Sequence, residues 1–246
     1  MAELLLLGGF VGFLSGFFGV GGGTILVPLL LFLNYDMKTA IGISVLQMVF
    51  SSIYGSYLNL KKGTLDLKMV SIIGSGGFIG ALFSGFIVAN VDAKILQIIF
   101  ISFSTFALLR LFFQVKEHKG EKQAQPIILF IIGFFLGMIS ISIGVGGSVL
   151  LVPILVGFFH VSLKKATSAG LFFVVFSSVS GFISQSLHGM IDYRTGLIIG
   201  IASLVGVYFG VMLKHSTHET LQRKLLVLFY VGVVSYLIYK TFFLQG

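Results

Sequence analysis

Eight apolar runs, each long enough to cross a bilayer, account for most of this 246-residue chain. About 20 apolar residues suffice for a crossing, at roughly 1.5 Å of helix per residue. Six runs are of ordinary length: Ala40–Leu60, Met69–Ala89, Ile95–Phe113, Ala166–Ser186, Gly196–Leu213 and Leu221–Phe243. Two are longer, Leu4–Leu33 and Pro126–Phe158, and each is interrupted near its middle by glycine. Only 10% of the residues are Asp, Glu, Lys or Arg, against about 25% in a soluble domain. That is too little charge to cover a surface in water, so the lipid bilayer is the expected surroundings. Soluble enzymes and DNA-binding modules are excluded, and no nucleic acid partner is expected. The 32 glycines suit membrane helices whose backbones approach closely. The chain reads as an all-α polytopic membrane protein.

The two halves are alike. Gly19-Val20-Gly21-Gly22-Gly23-Thr24-Ile25-Leu26-Val27-Pro28 recurs as Gly144-Val145-Gly146-Gly147-Ser148-Val149-Leu150-Leu151-Val152-Pro153, an offset of 125. Gly8, Phe10, Gly12 and Ser15 recur in that frame as Gly133, Phe135, Gly137 and Ser140. One inserted residue later, Phe50-Ser51-Ser52 matches Phe176-Ser177-Ser178, Gly63 and Asp66 match Gly189 and Asp192, and Gly74 and Gly80 match Gly200 and Gly206. The expected organisation is a first membrane repeat over 1–114, a polar linker over 115–125 and a second repeat over 126–246.

Lys and Arg accumulate in cytoplasmic loops, so their placement tests how the halves are oriented. If each long run crosses once, the sixteen basic residues divide nine against seven. If each run enters and returns as a hairpin, one face collects Lys61, Lys62, Lys68, Arg110, Lys116, Lys119, Lys122, Lys164, Lys165, Lys214, Arg223 and Lys224. The other keeps Lys38, Lys94, Arg194 and Lys240, so the division is twelve against four. The asymmetry predicts two inverted repeats, each a glycine-broken helical hairpin followed by three transmembrane helices. Both termini lie outside and the 115–125 loop is cytoplasmic. Arm length agrees, because Thr24–Leu33 would reach only about 15 Å as a helix. The start, Met1-Ala2-Glu3-Leu4, lacks the basic region of a cleaved signal peptide.

Two glycine tips would then lie inside the membrane. Irregular backbone at that depth is tolerated where it is buried in protein or lines a cavity, and broken helices in inverted repeats commonly build a transporter's central site. The arms beginning near Thr24 and Val149 offer N–H groups without intrahelical partners and a positive dipole end, and glycine lets a ligand approach the backbone. Such a site takes a small anion. The candidate residues are Gly19, Gly21, Gly22, Gly23 and Thr24 in one tip, with Gly144, Gly146, Gly147 and Ser148 in the other. Ser44, Gln47, Ser51, Ser52, Ser177 and Ser178 are hydroxyl and amide donors on the spans. No span carries a central carboxylate of the kind a cation would need. Asp66 and Asp192 read as helix caps, and Gly76, Gly80 and Ser84, with Ala202, Gly206 and Gly210, as packing rows. The chain has no cysteine, its histidines share no metal-ligand spacing, and no metal or other cofactor is expected.

The twin GVGGG and GVGGS tips, the prolines Pro28 and Pro153, the serine-bearing second span and the G-x-x-D loop resemble the sulfite exporter TauE/SafE family over nearly the whole chain. The resemblance implies an inner-membrane permease, not an enzyme, for sulfite, a sulfonate or a related organosulfur anion. On the family pattern the site maps to Gly19–Thr24 and Gly144–Ser148, with Ser51, Ser52, Ser177 and Ser178 secondary. Ser148 replaces Gly23, and Gly170 and Phe173 stand opposite Ser44 and Gln47, so the two sides of the site are not equivalent. A gated anion channel or passive anion permease is the alternative, and homo-oligomer formation is left open.

Overall fold

A computed structural model describes residues 1–63, 67–112 and 125–239, and every regular element among them is helical. The first half contains α1 (Ala2–Phe18), α2 (Gly23–Phe32), α3 (Met37–Lys61), α4 (Leu67–Ala81), α5 (Ser84–Asn90) and α6 (Ala93–Phe112). The second contains α7 (Pro126–Ser142), α8 (Ser148–Phe159), α9 (Leu163–Leu187), α10 (Tyr193–Ser216) and α11 (Glu219–Tyr239). Among the described residues four helical segments are long and apolar enough to cross a membrane: Met37–Lys61, Leu67–Asn90 (α4 and α5 together), Lys165–Leu187 and Tyr193–Lys214. The outer surface is that of a multi-pass membrane protein. Ile127, Ile131, Phe135 and Ile139 expose one side of α7, and Ile201, Val205 and Phe209 one side of α10. Meanwhile Ser44, Gln47, Ser51, Ser52, Ser177 and Ser178 are buried inside.

Both long glycine-broken runs are divided, Leu4–Leu33 into α1 and α2 and Pro126–Phe158 into α7 and α8. The run Met69–Ala89, expected as one helix, bends at Leu82–Phe83 between α4 and α5. Beyond the bend the Gly85 N–H donates to Ser184 Oγ of α9 at 3.0 Å. Gly76 and Gly80, before it, press on the backbone of α7, while Gly74 and Gly77 meet the rings of Phe176 and Phe173 of α9. The Asp192 carboxylate accepts from the Thr195 N–H at 3.1 Å, capping α10 as expected. Asp66 and nearly all of the 115–125 linker lie outside the described residues.

Small residues set the helix contacts, and those contacts give the helix directions. Along α1, Gly8 meets Ile199, Gly12 meets Ser203 and Gly16 meets Val207 of α10, so the two helices run the same way. Gly76 and Gly80 of α4 likewise climb past Phe130 and Phe134 of α7. α3 and α10 are parallel, with Leu46 on Gly196 and Phe50 on Gly200. So are the α4–α5 segment and α9, where Ser180 and Ser184 donate to the Phe78 and Leu82 carbonyls. α3 and α9 instead pass in opposite directions: Ser52 meets Ser178, and Gly55 meets Leu171. The first helix of each half therefore packs on the other half, as close small-residue contacts allow. α2 starts beside Ser44 and Met48, midway along α3, and four residues, 33–36, separate its end from the start of α3. It runs back against the direction of α1 and α3.

Candidate functional site

Glycine dictates where the broken runs break. Gly19 ends α1 at φ 68°, its N–H donating to the Ser15 carbonyl at 2.9 Å, and Gly21 follows at φ 72°. In the other half Gly144, Gly146 and Gly147 have φ of 74°, 84° and 83°. Left-handed backbone is costly for residues with a Cβ, so a regular helix cannot continue through either stretch. Gly22 is the N-cap of α2 and Gly147 the N-cap of α8. Intrahelical bonding in α2 starts with the Ile25 and Leu26 N–H groups, both donating to Gly22 O. The Gly23 and Thr24 amides precede that ladder, as the first amides of any helix do.

The tips touch. The Ser148 hydroxyl donates to the Val20 carbonyl, and Ser44 Oγ of α3 donates to the Gly144 carbonyl at 2.9 Å. A Cβ placed on Gly23 would fall on that same carbonyl. Ser177 Oγ reaches the Gly146 carbonyl at 3.4 Å, and the Met48 sulfur lies against Gly21, Gly23 and Gly146. Gln47 is fully buried with its amide pressed on Gly22, and neither its oxygen nor its nitrogen has a hydrogen-bond partner. At the corresponding place in the second half, Gly147 faces the ring of Phe173.

Ser44, Gln47 and Ser177 are thus brought to the tips with Gly19–Thr24 and Gly144–Ser148. Ser51 bonds within its own helix, to the Met48 carbonyl at 3.5 Å. Ser52 and Ser178, equivalent in the two halves, face each other at 3.5 Å where α3 crosses α9. Lys214, counted above among the loop charges, is only 7% exposed. A Cβ on Gly19 would lie 3.4 Å from Lys214 Nζ and 3.3 Å from the Thr167 carbonyl. Its place after an apolar span disguised it as an interfacial lysine; the packing of α1 along α10 alone brings it to the tip. No group of metal-ligating side chains occurs among the described residues. A hollow of about 390 Å³, lined by Lys38, Thr39 and residues 189–192, lies apart from the tips.

Touching, non-helical segments inside a multi-helical membrane protein are a common way for transporters to build a central site. The chain belongs to the Sulfite exporter TauE/SafE family, whose profile matches residues 4–237. It is 27% identical to the Probable membrane transporter protein YunE of Bacillus subtilis, over 92% of this chain and 91% of that one. It is 29% identical to the Probable membrane transporter protein MJ0441 of Methanocaldococcus jannaschii, over 74% of this chain and 70% of that one. A Probable membrane transporter protein of Haemophilus influenzae is 27% identical over 79% of this chain and 78% of its own length. No solved structure matches. The protein is a membrane transporter and not an enzyme.

Proposed function

We propose that this transporter carries a small sulfur-containing oxyanion (sulfite, a sulfonate or a related organosulfur anion) by alternating access. The anion is held at backbone N–H groups of the Gly19–Thr24 and Gly144–Ser148 tips. The substrate class follows the family's description. The observation that carries the site is the unpartnered amide of Gln47 beside Gly22, at the positive end of α2. A buried polar group left without a partner costs about 1–3 kcal/mol, and an oxyanion would accept from its Nε2. No carboxylate is buried among the described residues to repel an anion.

Supporting an inverted arrangement, α3 and α9 occupy equivalent places and run in opposite directions, and the basic residues favour one face. In this reading residues 1–114 and 126–246 rock against each other across the inner membrane, with both termini outside and the 115–125 loop cytoplasmic. The Ser148–Val20 and Ser44–Gly144 bonds cross between the halves, so separating the tips would release two hydroxyls toward the ligand. Purified protein in vesicles tests the reading with labelled sulfite and 2-hydroxyethanesulfonate. Gly22→Leu and Gly147→Leu, whose side chains would overrun Gln47 and Phe173, are each expected to abolish flux while the protein still inserts. Normal flux in both variants would remove the site.

A further inference from the structure

We infer that Lys214 and the Gly19–Thr24 tip form the anion-binding side of the site, and that the Gly144–Ser148 tip serves chiefly to close it; this rests on the transport function proposed above. A hairpin tip is not electropositive as such. At Gly19–Thr24 the carbonyl end of α1 meets the amide end of α2, and the two dipole ends have opposite sign. Lys214 breaks that balance. Its ammonium is withdrawn from solvent and lies against Gly19, the residue that ends α1. A lysine at the end of a membrane helix ordinarily extends its head toward the interface; this one turns inward. With the carbonyl end of α1 offset by the cation, the amides of Gly23 and Thr24 and the buried Gln47 amide are left to face an anion.

The second half has no such arrangement. In the register that pairs Gly200 with Gly74, Lys214 corresponds to Val88 and Thr167 to Ile41. Around Gly144 a Cβ would meet the side chains of Val27 and Ile41. Gln47 is matched by Phe173, against Gly147. The sequence counterparts of Lys214, Thr167 and Gln47 are thus all apolar, and the side-chain polar groups that meet the second tip are the neutral hydroxyls of Ser44, Ser140 and Ser177. What the second tip contributes is the Ser148 hydroxyl, which holds the Val20 carbonyl of the first.

The test is saturation kinetics in proteoliposomes with labelled sulfite and 2-hydroxyethanesulfonate, comparing wild type with Lys214→Gln, Lys214→Met and Lys214→Arg. Lys94→Gln, on the exposed start of α6, is the control. Removing a charge-assisted hydrogen bond should raise KM by about tenfold or more in the two neutral variants. Lys214→Arg should retain most of the affinity, because the charge is kept. Two neutral variants are included so that a folding failure in one leaves the measurement to the other. Unchanged KM in either neutral variant that folds, a loss confined to Vmax, or an equal KM rise in Lys214→Arg would overturn the assignment. Wild-type flux that Gly22→Leu abolishes and Lys214→Gln leaves intact would overturn this inference alone. Wild-type vesicles that carry neither anion would overturn the proposed function as well.

Discussion

Gln47 shows how a single buried residue can oppose stability. Its amide has no partner on either atom, whereas Phe173, its counterpart, fills the equivalent space with an apolar ring against Gly147. Replacing a buried unsatisfied amide by an apolar side chain removes its desolvation cost, about 1–3 kcal/mol. Gln47→Leu is therefore expected to raise the thermal unfolding midpoint of the purified protein and to weaken sulfite binding in the same preparation. A variant that loses stability and keeps its affinity would assign Gln47 to packing. The glycines at these tips were legible in the sequence, because repetition of GVGG inside apolar runs has few causes other than backbone conformation. The role of Lys214 was not legible. Sequence shows that it follows an apolar span, and only the contact of α1 with α10 shows that it faces inward.

Several helix pairs in this molecule meet backbone to backbone at glycine. Gly12 lies so close to Ser203 that a Cβ would overlap its carbonyl, and Gly206 and Gly80 meet the Gly9 and Phe134 carbonyls in the same way. Overpacking a close-packed contact costs about 1–3 kcal/mol. Gly12→Leu and Gly80→Leu should each lower the unfolding midpoint, read by size-exclusion chromatography after heating. Gly9→Leu should not, since nothing lies within 4 Å of a Cβ there. The rows Gly76–Gly80 and Ala202–Gly206–Gly210 were recognisable from their spacing as packing surfaces. Their partners were not, because spacing marks a face without naming what it meets. Nor did the apolar run Met69–Ala89 reveal its break at Leu82–Phe83, where the Phe83 N–H donates to the Gly80 carbonyl at 3.2 Å in a tighter turn than the α-helix makes.

Across the whole molecule the absence of cysteine makes the orientation directly measurable. Lys38 lies in the first turn of the membrane-length helix α3 and Lys62 caps its other end. Single Lys38→Cys and Lys62→Cys variants should label with a membrane-impermeant maleimide from opposite faces, Lys38→Cys from outside and Lys62→Cys from the cytoplasm. Labelling of both from one face would refute the proposed topology. Asymmetry between the halves is the other property of the whole: the same GVGG backbone is flanked by the cation Lys214 and the Gln47 amide at one tip, and by the hydroxyls of Ser44, Ser140 and Ser177 and the ring of Phe173 at the other.

Apolar run length, scarcity of charge and glycine repetition were enough to establish a helical membrane protein with two interrupted segments, since each reflects a local demand on the chain: hydrocarbon thickness, desolvation or backbone dihedral. Which helices touch, and so which side chains surround the tips, was settled only by tertiary structure. Packing α1 along α10 and α4 along α7 joins positions nearly 200 residues apart in one case and about 55 in the other. No pattern along the sequence encodes such a meeting, because the energy of a contact belongs to both surfaces at once.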